Sequence, residues 1–127
     1  VRNKRKIDAA ITNARAVIAL RSALAAEADA HRAGRMGEAP LEHLLRPRQS
    51  YPRHLGELAW LYQPSHQPRP EKAGDVPAQT EESRALSLEL KRRGFVFVGP
   101  VTALALMSAI GIANTDIIGT WKRPLAE

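Results

Sequence analysis

Between Thr80 and Gly111 the sequence carries a full set of helix start and stop signals, and these restrict the fold more than any other feature of the chain. Thr80 is a natural N-cap, since a threonine hydroxyl accepts a hydrogen bond from a first-turn amide. Glu81 and Glu82 put negative charge in the first turn, while Lys91, Arg92 and Arg93 put positive charge in the last, both favoured by the helix dipole. Leu86 and Leu90 share one face. Gly94 stands where a helix that closes in the left-handed conformation needs glycine. Gly99 and Pro100 then open a second helix, with Pro100 at the position where its missing N–H costs nothing. The body of that helix, VTALALMSAI, is apolar almost all round and is expected to be buried, and Gly111 ends it. The signals predict helices near 80–93 and 100–110, joined by Phe95-Val96-Phe97-Val98. A strand over those four letters is the competing reading, but a few extended residues between two helices satisfy them equally.

The rest of the chain also reads as helix and loop. Ile7, Ile11, Ala14 and Ile18 recur at spacings of four, three and four, which predicts an amphipathic helix over about 4–30 with that stripe as its apolar face. Beyond Leu24 the alanine-rich run reads as a solvated continuation, stopped by Gly34 or Gly37. A short helix near Leu41–Leu45 and an apolar helical patch at 55–62 follow, with Trp60 and Tyr62 read as core residues. The stretch from Gln63 to Gln79 is rich in proline and reads as a surface loop. The chain is expected to form one helical domain over 1–127, with 20–79 as an insertion and loop region and the paired helices at 80–111.

Composition narrows the function classes. At 127 residues there is room for one small domain. Apolar residues make up 44% and charged residues 25%, as in ordinary globular proteins. Cysteine is absent, which excludes disulfides and thiolate-bound zinc within the chain and accords with a reducing cytoplasm. No run is apolar and long enough for a membrane helix, so no membrane association is expected. A net charge of +6 and a pI of 10.3 favour an anionic partner. The first residue is Val1 and it runs at once into a helix, which reads as a piece of a longer protein.

A helix, a short glycine-bounded turn and a second helix form the layout of a helix-hairpin-helix DNA-binding motif. Glycine lets backbone approach a phosphate closely, and the amides that open the second helix carry partial positive charge. Lys91, Arg92, Arg93, Gly94 and Gly99 are therefore the candidate DNA-binding residues, the cations supplying contact that ignores base sequence. Phe95 and Phe97 are expected to point inward and brace the turn. An αα-hairpin with a basic cap has the same pattern and binds nothing.

The letters themselves go further. Arg2-Asn3-Lys4-Arg5-Lys6-Ile7 leading to Asn13-Ala14-Arg15-Ala16, Asp75-Val76-Pro77-Ala78, the block from Leu90 to Pro100 and the stretch from Ala105 to Asn114 together resemble the DNA-3-methyladenine glycosylase type I family. The interval from about Leu20 to Arg53 has no counterpart in that resemblance. The resemblance implies an all-α helix-hairpin-helix glycosylase fold, here incomplete at its amino terminus, and a role in base-excision repair. Its chemistry is hydrolysis of the N-glycosidic bond of 3-methyladenine in alkylated double-stranded DNA, without a cofactor, after the base is flipped from the stack. In that family the catalytic glutamate and the aromatic base pocket belong to the amino-terminal half, so no catalytic residue carries over and the chain alone is expected to be inactive. Glu57, Glu81, Glu82 and Glu89 read as solvated helix charges, and Trp121 as a core cover. The family's carboxy-terminal zinc ligands, a histidine and a cysteine, match Asp116 and Thr120, so no metal is expected. His31, His43, His54 and His66 show no ligand-like clustering and read as surface residues.

Three functions stay open on the sequence. One is the DNA-binding portion of such a glycosylase, working with the missing amino-terminal half of the same enzyme. Another is a non-catalytic helix-hairpin-helix module derived from the family. The last is a basic surface-binding protein whose partner is not DNA.

Overall fold

The computed structural model describes residues 3–118. Among the described residues there are four α-helices: α1 (Lys4–Ala33), α2 (Leu55–Trp60), α3 (Glu81–Arg92) and α4 (Pro100–Ala109). Two short 3₁₀ turns, Glu42–Leu44 and Ala73–Asp75, lie between α1 and α2 and between α2 and α3. The described residues contain no strand, so the fold is all-α and Phe95–Val98 is irregular backbone. Trp121 and Thr120 lie outside the described residues.

The chain divides into two compact units, residues 1–61 with 90–97, and residues 62–89 with 98–127. In the first unit α1 begins at Asn3, whose side chain accepts from the Arg5 amide at 3.0 Å. It ends at Gly34 (φ 69°), where the Arg35 amide reaches back to the Ala30 carbonyl at 3.0 Å. Its buried face is Ala9, Ala16, Leu20, Leu24, Ala28 and Ala30, and the helix packs against α2. The predicted apolar stripe lies elsewhere: Ile7, Ile11 and Ile18 are exposed, Ile18 by 71%. Periodicity groups residues on one face without saying which face is covered, and here the small alanines allow close packing while the isoleucines remain outside. The run beyond Leu24 is likewise not a solvated extension, because Ala28 and Ala30 are buried along it. Leu41, Tyr51 and Leu58 complete this core, so the interval 20–53, read as an insertion, supplies core residues. Trp60, read as core, is 43% exposed, whereas Tyr62 in the second unit is buried as expected.

The second unit is built around Leu86, Leu104, Met107 and Ile112, with Ser83 and Ser87 buried beside them. Thr80 and Ser83 exchange hydrogen bonds, Ser83 N–H to Thr80 Oγ1 at 3.1 Å and Thr80 N–H to Ser83 Oγ at 2.8 Å. This is a capping box with serine in the place more often held by glutamate. Gly111 (φ 88°) ends α4, and the Ile112 and Ala113 amides bond the Met107 carbonyl. The proline-rich loop is pinned by Gln67, which donates to the Ile112 carbonyl and accepts from the Asn114 amide. α4 is not buried all round: Ala103, Leu104 and Met107 face inward, while Val101, Leu106 and Ile110 are exposed.

Candidate nucleic-acid interface

The end of α3 is closed from within. Gly94 takes φ 96°, the Gly94 amide bonds the Lys91 carbonyl at 3.1 Å, and the Phe95 amide bonds the Leu90 carbonyl at 3.0 Å. This is a Schellman closure, and the buried pair Leu90 and Phe95 supplies the apolar contact that accompanies it. Glycine is required here by the positive φ, not by crowding, since a Cβ at Gly94 would meet nothing within 4 Å.

The three cations expected together at this end have different fates. Lys91 and Arg92 are exposed. The Arg93 guanidinium turns inward and makes a two-pronged ion pair with Glu27 of α1, at 2.8 Å to each carboxylate oxygen. Only 7% of the Arg93 side chain and 16% of that of Glu27 is exposed. The Tyr51 hydroxyl donates to Glu27 at 2.6 Å and accepts from the Leu41 amide at 3.2 Å. Burial alone would raise the Glu27 carboxyl. The hydrogen bonds from Arg93 and Tyr51 and the positive charges of Arg93 and Arg92 outweigh it and hold the group below the usual glutamate range. Burial and the neighbouring carboxylate push the Tyr51 phenol up, so it remains a donor. Arg93 therefore ties the end of α3 to α1, and its fork is occupied.

A second tie from α1 reaches the connector itself. The Asn13 amide group donates to the Val96 carbonyl at 3.0 Å and accepts from the Val96 amide at 2.8 Å, holding both polar groups of that residue. Sequence reasoning missed Glu27 and Asn13. Asn13 lay inside a block quoted for the resemblance, but the partners are 66 and 83 residues away and no local pattern reveals them. The two phenylalanines also part company. Phe95 is buried, as expected, but Phe97 is 61% exposed and sits in the left-handed region at φ 56°, so the reading that both brace the turn is corrected for Phe97.

The start of α4 is open where the end of α3 is closed. Gly99 is the N-cap residue with extended backbone, Pro100 occupies the first turn, and no side chain caps this end. A Cβ at Gly99 would meet nothing within 4 Å of the chain, and its φ of −71° is ordinary for any residue. Among the described residues nothing demands glycine here. The preceding Val98 carbonyl is held by the buried Ser87 hydroxyl at 2.7 Å, which fixes the approach to the helix. An uncapped helix start at a half-buried glycine whose missing Cβ leaves open space has the chemistry of an anion seat.

Other groups offer less. Glu57 is held down to about 2 by hydrogen bonds from the exposed Arg53 guanidinium and from the Arg53 amide, and it is not a poised acid or base. His54 caps α2 by accepting from the Glu57 amide, and His31 lies 3.0 Å from Glu42. Asp116 donates its backbone amide to the Asn114 side chain and lines a hollow of about 220 Å³ with Ser108, Asn114 and Thr115. Among the described residues no three His, Cys, Asp or Glu side chains gather closely enough to hold a metal ion. No helix among them is long and apolar enough to cross a membrane.

A family model described as methyladenine glycosylase matches residues 43–123, well over half of the chain. The DNA-3-methyladenine glycosylase 1 of Escherichia coli K12 is 40% identical over 66 residues, covering 50% of this chain and 35% of that protein. The DNA-3-methyladenine glycosylase of Haemophilus influenzae is 48% identical over 42 residues, or 33% of this chain and 23% of that protein. The chain thus matches only about a third or less of the length of either relative. No solved structure matches it.

Proposed function

The chain belongs to the methyladenine glycosylase family, and from that premise we propose that it is the DNA-backbone-binding portion of a base-excision glycosylase. The observation that carries this reading is the start of α4, where Gly99 faces open space and no side chain caps the helix. A backbone phosphate is the ligand this end accepts: the first-turn amides donate to its oxygens, and the missing Cβ at Gly99 lets it come close. Lys91 and Arg92 add charge that draws the polyanion in and releases counterions when it binds. Gly94 acts through the turn it closes, and Arg93 through its bond to Glu27. Neither of those two is a phosphate ligand in this reading.

In the whole enzyme such a grip keeps the duplex still while a methylated base is turned out of the stack and its N-glycosidic bond is hydrolysed. Glu57 is paired with Arg53 and Glu27 with Arg93, so these carboxylates favour a binding role for this chain over a hydrolytic one. That same observation supports the non-catalytic module as the second reading. A salt titration of duplex binding tests the proposal on the parent chain and on the Lys91→Ala, Arg92→Ala and Gly99→Val variants. Loss of a phosphate contact lowers the slope of log affinity against log salt by about 0.9. Parent-like slopes and affinities in all three variants would reduce this segment to a structural turn. Release of 3-methyladenine from alkylated duplex by the chain alone would sink the non-catalytic assignment.

A further inference from the structure

Phe97 combines two features that a folded protein ordinarily avoids. Its ring stands largely in water, and its backbone lies in the left-handed region, where bulky side chains are outliers. Glycine at this position would remove both at once. The neighbouring residues show that the arrangement is imposed. Asn13 holds the carbonyl and the amide of Val96, which fixes the peptide plane leading into Phe97. Three residues earlier, Arg93 is anchored to Glu27 on the same helix. Phe95 is turned inward, and the next aromatic along is turned outward and held there.

We propose that Phe97 is a nucleic-acid contact, an aromatic ring presented by the Asn13 clamp to the sugar and base surface of a bound DNA strand. The ligand class follows from what stands beside it in the chain. Lys91 and Arg92 are exposed cations, and the adjoining Val96 side chain is also exposed. Cations for phosphates together with an exposed ring for the apolar faces of sugars and bases form the pairing by which proteins hold strands without reading sequence. Backbone strain and an exposed ring at one residue mark a place where the fold is held in readiness for something outside it. Asn13 is a positioning residue: it touches only the chain, and its effect passes through Phe97.

This inference rests on the DNA-binding reading above, and the two fail differently. Duplex binding is measured across a range of salt for the parent, Phe97→Ala, Phe97→Tyr, Phe97→Gly and Asn13→Ala, with thermal unfolding of each. Loss of one aromatic contact to a base or sugar lowers affinity by about tenfold. Phe97→Ala is expected to show that loss at every salt concentration with an unchanged salt slope, because the ring carries no charge. Phe97→Tyr keeps the parent affinity. Phe97→Gly loses affinity like the alanine variant yet melts higher, since the left-handed residue is relieved. Asn13→Ala weakens binding in the parent but adds nothing when Phe97 is already alanine. Parent affinity in both Phe97→Ala and Phe97→Gly would overturn the contact and leave the phosphate reading standing. A parent that binds no duplex even at low salt overturns both. A parent that binds an acidic protein surface in place of DNA, with Phe97 contributing, assigns the ring to another class of partner and also overturns the proposal.

Discussion

The end of α3 and the start of α4 are separated by seven residues in one stretch of chain, and they are treated in opposite ways. Every helix end leaves polar backbone groups without helical partners. At the end of α3 the Leu90 and Lys91 carbonyls are met by the Phe95 and Gly94 amides, and the Arg93 charge is met by Glu27. At the start of α4 no side chain does the same service, and the residue that could have supplied one is glycine. The protein's own polar groups are concentrated on the first end, where a positive φ makes glycine obligatory. At the second, glycine is conformationally optional. An end left open in this way is what the proposed phosphate contact requires.

The largest way to break this contrast is Arg93→Ala. It leaves Glu27 buried beside Tyr51 without its cation, and removing one member of a buried ion pair costs on the order of 3 kcal/mol. Urea unfolding checks it, and a loss below about 1 kcal/mol, the range of exposed pairs, would mean that α1 does not hold this end. Acid gives a milder version of the same cut. Because the folded Glu27 carboxyl lies below its ordinary value, its contribution is complete above about pH 4.3 and fades as pH falls through the folded value. Stability measured from neutral to acid pH should therefore decline more steeply in the parent than in Glu27→Gln. Parallel profiles would remove Glu27 from the account of acid stability. Smaller again is Gly94→Ala, which forces an L side chain into φ 96° and is expected to destabilise by about 1 to 2 kcal/mol. Least of all, Gly99→Ala should leave unfolding within about 0.5 kcal/mol of the parent while weakening duplex binding. If Gly99→Ala destabilises as much as Gly94→Ala, the two ends are alike and the contrast is lost.

What could be read in advance was what is local. Thr80, Gly94, Pro100 and Gly111 act on their own neighbourhoods, and the helices they delimit fall within a residue or two of the predicted ends. Ile7, Ile11 and Ile18 mark one face of α1, and that face is exposed: a spacing identifies a face, and burial depends on what else folds against it. The buried side of α1 is instead carried by alanines, which weigh little in any hydrophobic pattern. Arg93 was legible as a charge but not as an occupied one, because its partner is 66 residues away. Phe97 follows the same logic. Phe95 turns in with the closure at Gly94, whereas Phe97 follows a residue whose backbone is held by the distant Asn13, a tie that no local pattern reveals.

The Tyr51 hydroxyl, placed between Glu27 and the Leu41 amide, has a consequence for how this chain tolerates change in length. It closes a loop of 24 residues between α1 and the segment leading to α2. Loop closure grows only logarithmically with length, so doubling such a loop costs about 0.6 kcal/mol. Residues could be gained or lost between Gly34 and Tyr51 at little thermodynamic expense, provided that Leu41 still fills the core and a phenol returns to the same carboxylate. The segment between Gly34 and Tyr51 is, in this sense, free in its extent and fixed at its points of return.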